Sequence, residues 1–196
     1  KNLICGEGGA LLINDHRFVE RAEIIREKGT DRSKFFRGEV GKYTWVDIGS
    51  SYLLADILAA ILLSQLEGIA VINQKRRAVY DYYYQRLKVL ERKGRLRLPS
   101  IPQGCQHNYH MFHLLLNSKR SRDKVMSGLQ TAGINAIFHY TPLHLSPMGR
   151  EYGYRPGDLP VTESISGRLL RLPFYNNLKR DEQDYIVRYV SKYVVW

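Results

Sequence analysis

The chain has 196 residues, 44% hydrophobic and 25% charged, with 30 Lys and Arg against 19 Asp and Glu for a formal net charge of +11. That length serves one or two domains with a proper core, and the balance is that of an ordinary soluble globular protein. No apolar run reaches membrane-span length, two cysteines cannot form a disulfide framework, and the scattered cations match no helix-turn-helix, zinc-finger or RNA-binding strand motif; the expectation is a cytoplasmic protein with no nucleic-acid partner and no membrane insertion.

Residues 3–13 read as two short extended segments around Gly6-Glu7-Gly8-Gly9, with Leu11, Leu12 and Ile13 as a buried strand. Asn14-Asp15 offers an N-cap, and Phe18, Val19, Ala22 and Ile25 recur at helical spacing until Gly29. Residues 29–50 show no period and interleave Gly38, Gly41 and Gly49 with Phe35, Phe36, Tyr43 and Trp45, which predicts a long anchored loop. From Ala55, the positions Leu58, Ala59, Leu62, Leu63 and Leu66 mark an amphipathic helix. It continues past a kink at Gly68 through Arg76, Tyr80 and Leu87 to Gly94. Strands over 95–98, 109–116 and 134–139 alternate with helices over 121–132, near 161–169 and over 180–193, with a Pro- and Gly-rich loop at 140–160. This alternation is that of a compact α/β lobe.

Two groups of residues carry candidate chemistry. Cys105, His107, His110 and His113 approach metal-ligand spacing, but a strand over 109–116 puts His110 and His113 on opposite faces and no paired Cys-x-x-Cys element accompanies them, so no metal site is expected. Lys1 precedes a glycine turn and an apolar segment. A lysine amine condenses with an aldehyde only in its neutral form, and from an ordinary pKa of about 10.4 an enzyme must favour that form by desolvation or a neighbouring cation.

Lys1-Asn2 followed by Gly6-Glu7-Gly8-Gly9 resembles the lysine segment of the DegT/DnrJ/EryC1/StrS-type sugar aminotransferases, fold type I pyridoxal-phosphate enzymes acting on nucleotide-linked keto sugars. Further matches follow in order: Asp47-Ile48-Gly49-Ser50-Ser51-Tyr52 with Asp56 and Ala59-Ala60, Thr141-Pro142-Leu143-His144 with Pro147, then Gly157-Asp158-Leu159-Pro160 with Glu163 and Arg171-Leu172-Pro173. The resemblance covers essentially the whole chain. It implies an α/β fold corresponding to the C-terminal part of a fold type I pyridoxal-phosphate transferase. Residues 1–74 would close the large cofactor-binding domain, with a dimer-crossing loop at 29–51, and residues 75–196 would form the small α/β domain.

By the same resemblance Lys1 is the Schiff-base lysine and proton carrier, and pyridoxal 5′-phosphate the cofactor. Ser51, with Ser50, stands where relatives place an asparagine on the cofactor phosphate across a homodimer interface; a plain N-cap for the following helix is the competing role. Leu53 stands where many relatives carry arginine, so that contact is not transferred. Lys34, Arg37 and Lys42 are candidates for the substrate diphosphate, Tyr43 and Trp45 for packing on the sugar or base, and His139 and His144 for the sugar; surface charge, loop anchoring and structural histidine are the competing readings. The implied reaction moves an amino group from L-glutamate to C4 of a dTDP-linked 4-keto-6-deoxyhexose in cell-surface polysaccharide synthesis. In the family the phosphate loop, the aromatic over the ring and the carboxylate on its nitrogen all precede the lysine, so this chain alone is expected to be inactive and to hold cofactor poorly. The alternatives are a dehydrating relative, which usually carries histidine in place of the lysine, and a non-enzymatic basic binding module.

Overall fold

A computed structural model describes residues 1–194. In chain order the elements are a 3₁₀ turn His16–Phe18, α1 Val19–Arg26, α2 Arg32–Phe36, α3 Asp56–Glu67, α4 Ile69–Arg92, β1 Leu96–Arg97, β2 His113–Leu116, α5 Lys119–Thr131, β3 Ile137–Phe138, a 3₁₀ turn Leu143–Leu145, α6 Pro147–Glu151, α7 Pro160–Arg168, β4 Leu169–Arg171 and α8 Arg180–Val194. Two compact units result, one comprising Lys1 and Leu3–Ile69, the other Asn2 and the chain from Ala70 onward. No single helix among the described residues is long and apolar enough to cross a membrane.

The second unit holds the core: every buried apolar side chain among the described residues lies at Val79 or later. Helix α4 buries Arg76, Val79, Tyr80, Tyr83, Leu87 and Leu90, one stripe at a helical period. Helix α8 does the same with Gln183, Ile186, Val187, Val190 and Val194. Ser118 accepts a hydrogen bond from Ser121 N at 3.0 Å and so starts α5. The strands form an antiparallel sheet in the order β1-β2-β4-β3, with Leu96 opposite Leu116, Leu114 opposite Leu170 and Phe138 opposite Leu170. Tyr83, Leu87, Phe112, Leu114, Leu129, Leu170 and Val190 interlock between sheet and helices. The mixed α/β class is as expected.

Several boundaries differ from expectation. Strand β4 was hidden because Leu169-Leu170-Arg171 follows α7 directly, with no turn residue between them and too few positions to show alternation. The loop at 140–160 contains a 3₁₀ turn and α6, which Ser146 caps by accepting from Gly149 N at 3.1 Å.

The first unit is built differently. Leu11, Leu12 and Ile13 form no strand, and Leu11 and Leu12 are 77% and 82% exposed. A strand exists only by exchanging backbone hydrogen bonds with a neighbour, and no described residue supplies one here. The helix before Gly29 forms as read, with Asp15 capping the 3₁₀ turn through Arg17 N at 3.0 Å. The helix expected from Ala55 to Gly94 with a kink at Gly68 is two helices, α3 and α4, which part at that glycine, where a residue with the highest backbone entropy cost replaces a helix former. No residue of α3 is buried.

Candidate active site

Lys1 is exposed, and among the described residues no carboxylate pairs with its ammonium. Asn2 is anchored within the second unit. Its amide donates to the Asn108 carbonyl, and its Oδ1 lies 3.1 Å from His110 Nδ1.

The turn carrying those partners is tightly specified. Tyr109 sits at φ +51°, the left-handed region that a non-glycine residue enters only when its surroundings hold it there. Its N–H donates to His107 Nδ1 at 2.7 Å, and His110 N–H donates to Asn108 Oδ1 at 3.2 Å. Burial holds the His107 imidazole below its ordinary pKa, in keeping with a neutral ring whose Nδ1 accepts.

Buried Arg76 fastens the turn from α4. Its Nε donates to the Tyr109 carbonyl at 2.7 Å, one terminal nitrogen to the His110 carbonyl, and the other to Asn176 Oδ1 at 3.2 Å, with the Phe174 ring 4.7 Å from the guanidinium carbon. Desolvation lowers the pKa of Arg76 from its ordinary value, so the hydrogen bonds compensate a charge taken out of water. Sequence reading took Arg76 only as a point on a helical period; the available signal was a cation on the apolar stripe of α4.

The loop at 29–51 is a backbone clasp rather than an open excursion, and it contains α2. Lys28 N donates to Ser50 O at 3.0 Å, Ser50 N to Ile25 O at 3.0 Å, and Val46 and Asp47 N–H to Gly29 O at 2.8 and 3.0 Å. Gly29 sits at φ +75°, and a Cβ there would fall 1.8 Å from the Asp47 carbonyl; at Gly49 a Cβ would meet Gly29 N at 2.1 Å. Only glycine permits both approaches. Buried Glu27 completes the clasp through Arg32 at 3.1 Å.

This clasp places the loop candidates. Ser50 and Ser51 are exposed, and neither hydroxyl makes a hydrogen bond among the described residues. They do not cap α3: its N-cap is Ala55, which makes no side-chain cap bond, and Ser51 is spent on an antiparallel bridge to Glu27. The helix-start role is therefore corrected, because backbone pairing to α1 holds both serines in extended chain ahead of the helix. Lys34 pairs with Glu20 at 2.6 Å, and Arg37 with Glu23 at 2.9 Å and Glu39 at 2.6 Å. These bonds raise both cations' pKa. Lys42 has no carboxylate partner among the described residues. Tyr43 packs edge-on against Phe35 at 5.8 Å, whereas Trp45 is 75% exposed.

The two histidine candidates have different surroundings. His144 is buried, its Nε2 3.0 Å from Glu163 Oε1, which also accepts from Gly157 N at 2.8 Å; the ring is not presented at a surface. His139 follows β3, and its Nδ1 is buried without a partner, as is Nε of Arg171 on the adjoining β4. Tyr140 lies 5.4 Å from both the His139 ring and the Arg171 guanidinium carbon. Among the described residues these two buried nitrogens, beside the β3–β4 pair, keep hydrogen-bonding capacity for a polar ligand. Arg171 appeared in the sequence only within its Arg-Leu-Pro run.

Comparison with known proteins agrees with this organisation. The model of the "DegT/DnrJ/EryC1/StrS aminotransferase family" matches residues 1–191. An uncharacterized Methanocaldococcus jannaschii protein, MJ1066, is 30% identical over 99% of this chain and 51% of its own length. The erythromycin biosynthesis sensory transduction protein EryC1 of Saccharopolyspora erythraea is 30% identical over 95% of this chain and 48% of its own. The crystal structure of the aminotransferase TlmJ from Streptoalloteichus hindustanus superposes with a TM-score of 0.83 at 26% identity, covering 99% of this chain and 49% of that one. A Brucella abortus aminotransferase of the same family gives 0.74 at 27% identity, covering 93% and 45%. The chain thus spans about half the length of the relatives it matches. With the family match running from Lys1 into α8, the chain belongs to the DegT/DnrJ/EryC1/StrS aminotransferase family, whose cofactor is pyridoxal 5′-phosphate.

Proposed function

We propose that this chain is the lysine-bearing portion of a nucleotide-sugar aminotransferase, and that Lys1 is the residue through which it holds its cofactor. The observation that carries the reading is the Lys1-Asn2 and Gly6-Glu7-Gly8-Gly9 run inside a family match over residues 1–191, together with an Nζ that no carboxylate pairs among the described residues. The residues fit the cofactor's chemistry: the Lys1 amine, unpaired among the described residues, suits its aldehyde, and the Ser50 and Ser51 hydroxyls, unbonded among the described residues, suit the phosphate of a cofactor held across a homodimer interface. Bound pyridoxal phosphate supplies an aldehyde for amines and a ring that accepts an electron pair. Lys1 Nζ would hold the cofactor at its aldehyde and, when free, would act as the base and acid that moves a proton at the donor carbon in one half-reaction and at the acceptor carbon in the other. Asn2, fixed through His110, limits the freedom of the backbone carrying that amine.

The finer reading is transfer from L-glutamate to C4 of a dTDP-linked 4-keto-6-deoxyhexose, as in dTDP-4-amino-4,6-dideoxygalactose transaminase of enterobacterial common antigen synthesis. It is supported by the runs Lys42–Ser51 and Phe138-His139-Tyr140, which resemble that enzyme. We assign Lys42 to the substrate diphosphate, with Lys34 and Arg37 exchanging their carboxylates on binding, and His139 to the sugar. A cytoplasmic homodimer belongs to the same reading.

The test uses the parent-length protein mixed with pyridoxal phosphate and reduced with borohydride. Mass spectrometry should find the cofactor on the Lys1 peptide, and glutamate with the keto sugar should yield the amino sugar. Retention on another lysine, or unchanged turnover in Lys1→Ala, would refute the assignment.

A further inference from the structure

The sheet of the second unit gives one face to the core and keeps polar side chains on the other. Leu114, Leu170 and Phe138 stand opposite one another on the first face, and the adjacent row of His113, Arg171 and Ile137 points the other way. His139, two residues after Ile137, carries that row past the end of β3 and lies near enough to His113 to disfavour its charged form. Strands β2, β3 and β4 contain no acid.

Arg171 is the member of this row whose bonding is incomplete. It is half-buried, its Nε is buried without a partner, and among the described residues no carboxylate pairs with it. Its side chain makes a single hydrogen bond among those residues, from a terminal nitrogen to Phe138 O at 3.4 Å, beyond the usual range of about 2.7–3.2 Å. Taking a guanidinium out of water on those terms is costly until an anion joins it. The rings of the row are open as well. His139 Nδ1 is buried and unbonded, and neither ring nitrogen of His113 makes a hydrogen bond among the described residues. Burial first, then His139 and His107, hold His113 below its ordinary pKa of 6.5, so at neutral pH its ring adds no fixed charge.

We propose that Arg171, with His139 next to it in the row, binds a carboxylate. A planar guanidinium presents parallel N–H donors that match the two oxygens of a carboxylate, and His139 Nδ1 adds a further donor in the tautomer that carries its proton. A phosphate brings close to two charges and calls for a second cation. The row supplies none: Arg122 stands over the Phe138 ring at 5.5 Å, on the opposite face, and takes up Asp123 at 2.7 Å. Tyr140, 72% exposed and 5.4 Å from the Arg171 guanidinium carbon, has little contact to lose in moving aside for a ligand. The source of the carboxylate rests on the aminotransfer proposed above, whose donor is an amino acid; Arg171 is then the residue that selects the donor. Donor and keto sugar react in turn, so His139 serves each without conflict.

The test titrates glutarate, a dicarboxylate without an amine, into the ¹⁵N-labelled chain at constant ionic strength and follows the ring signals of His113 and His139. A saturable shift is expected, and the neutral diamide of glutarate should not produce it, a comparison that needs no variant. Arg171→Gln should weaken binding about ten-fold or more, as befits loss of a charged hydrogen-bond donor, and Arg171→Lys, which keeps the charge without the fork, by less. Arg188→Gln, at an exposed position of α8, should leave it unchanged. An equal response to the diamide or to chloride, or unchanged affinity in Arg171→Gln, would overturn the site; tighter binding of inorganic phosphate would overturn the ligand class. In the parent-length protein, Arg171→Gln should raise about ten-fold the glutamate concentration that converts the cofactor to its amine form. An unchanged glutamate dependence would overturn the donor assignment, whichever sugar is the acceptor. Absence of cofactor from Lys1 would instead overturn the proposed function and leave the glutarate result standing.

Discussion

Replacing Arg76 by methionine tests whether the 107–110 turn is held from α4. Methionine keeps an unbranched apolar stem beside Phe174 but removes every donor, leaving the Tyr109 and His110 carbonyls and Asn176 Oδ1 without their partner. Hydrogen bonds to a charged group contribute about 1.5–3 kcal/mol each. Three such bonds do not add, because the variant also escapes the cost of burying a guanidinium, which burial already shows by lowering its pKa. The expected net loss is about 3 kcal/mol, a large share of a typical stability of about 5–15 kcal/mol. Left-handed Tyr109 then relaxes, since its strain persists only while its surroundings enforce it. Urea unfolding followed by circular dichroism measures the loss, and hydrogen exchange at Tyr109 and His110 locates it. Arg76→Lys retains the charge but lacks the fork, so it should recover less than half of the difference. A loss below about 1 kcal/mol for Arg76→Met, with exchange at 109–110 unchanged, would show that the turn holds itself and refute the reasoning.

Two further outcomes follow from other contacts. Glu163 is held below its ordinary pKa of 4.5, first by its hydrogen bond to His144 and then by the Gly157 N–H. A depressed carboxylate stabilises the fold above its unfolded pKa and loses that contribution as pH falls through the folded value; the stability gap between wild type and Glu163→Gln should therefore be constant above about pH 5 and close progressively below pH 4.5, measured by thermal melts across pH. Leu63→Asp addresses α3: Leu63 is 57% exposed in this chain, so the substitution should change the chain's stability by less than about 0.5 kcal/mol. In the parent-length protein, where we propose that further polypeptide covers α3, it should cost about 2–5 kcal/mol; a small effect in both would remove the proposed cover.

What could be read from the sequence was whatever is written locally. Helices α4, α5 and α8 were legible because each pairs a helical apolar stripe with polar positions on the other face, and α5 adds a serine at its start. The family was legible because Lys1-Asn2 and Gly6-Glu7-Gly8-Gly9 open a series of runs in its order, and the family match over residues 1–191 bears that likeness out. Contacts spanning long separations left no local trace. Arg76 reaches a turn 33 residues away, and His144 meets a carboxylate 19 residues on. Nothing in the neighbourhood of either residue states its partner. The serines at 50–51 were misplaced for a related reason: their order before a helix suggests a cap, but backbone pairing with Glu27 decides their conformation.

Helix α3 shows how a correct element can carry a wrong face. The amphipathic reading joined its leucines to the stripe of α4, yet within Asp56–Glu67 the polar residues are Asp56, Ser64, Gln65 and Glu67, gathered at the two ends rather than along one side. A helix apolar all round is patterned for burial on every side. Here Ile57, Ile61, Leu63 and Leu66 are exposed, as are Leu11 and Leu12 in the segment after the glycines. The hydrophobic pattern therefore specifies more contact than the described residues provide, most plainly in the first unit, where no apolar side chain among them is buried. The second unit has its own sheet and an interlocked core, although Leu143 and Val161 on its surface are exposed. A chain about half the length of its relatives thus carries two different conditions: a unit with its own sheet and core, and one whose apolar side chains stay uncovered among the described residues.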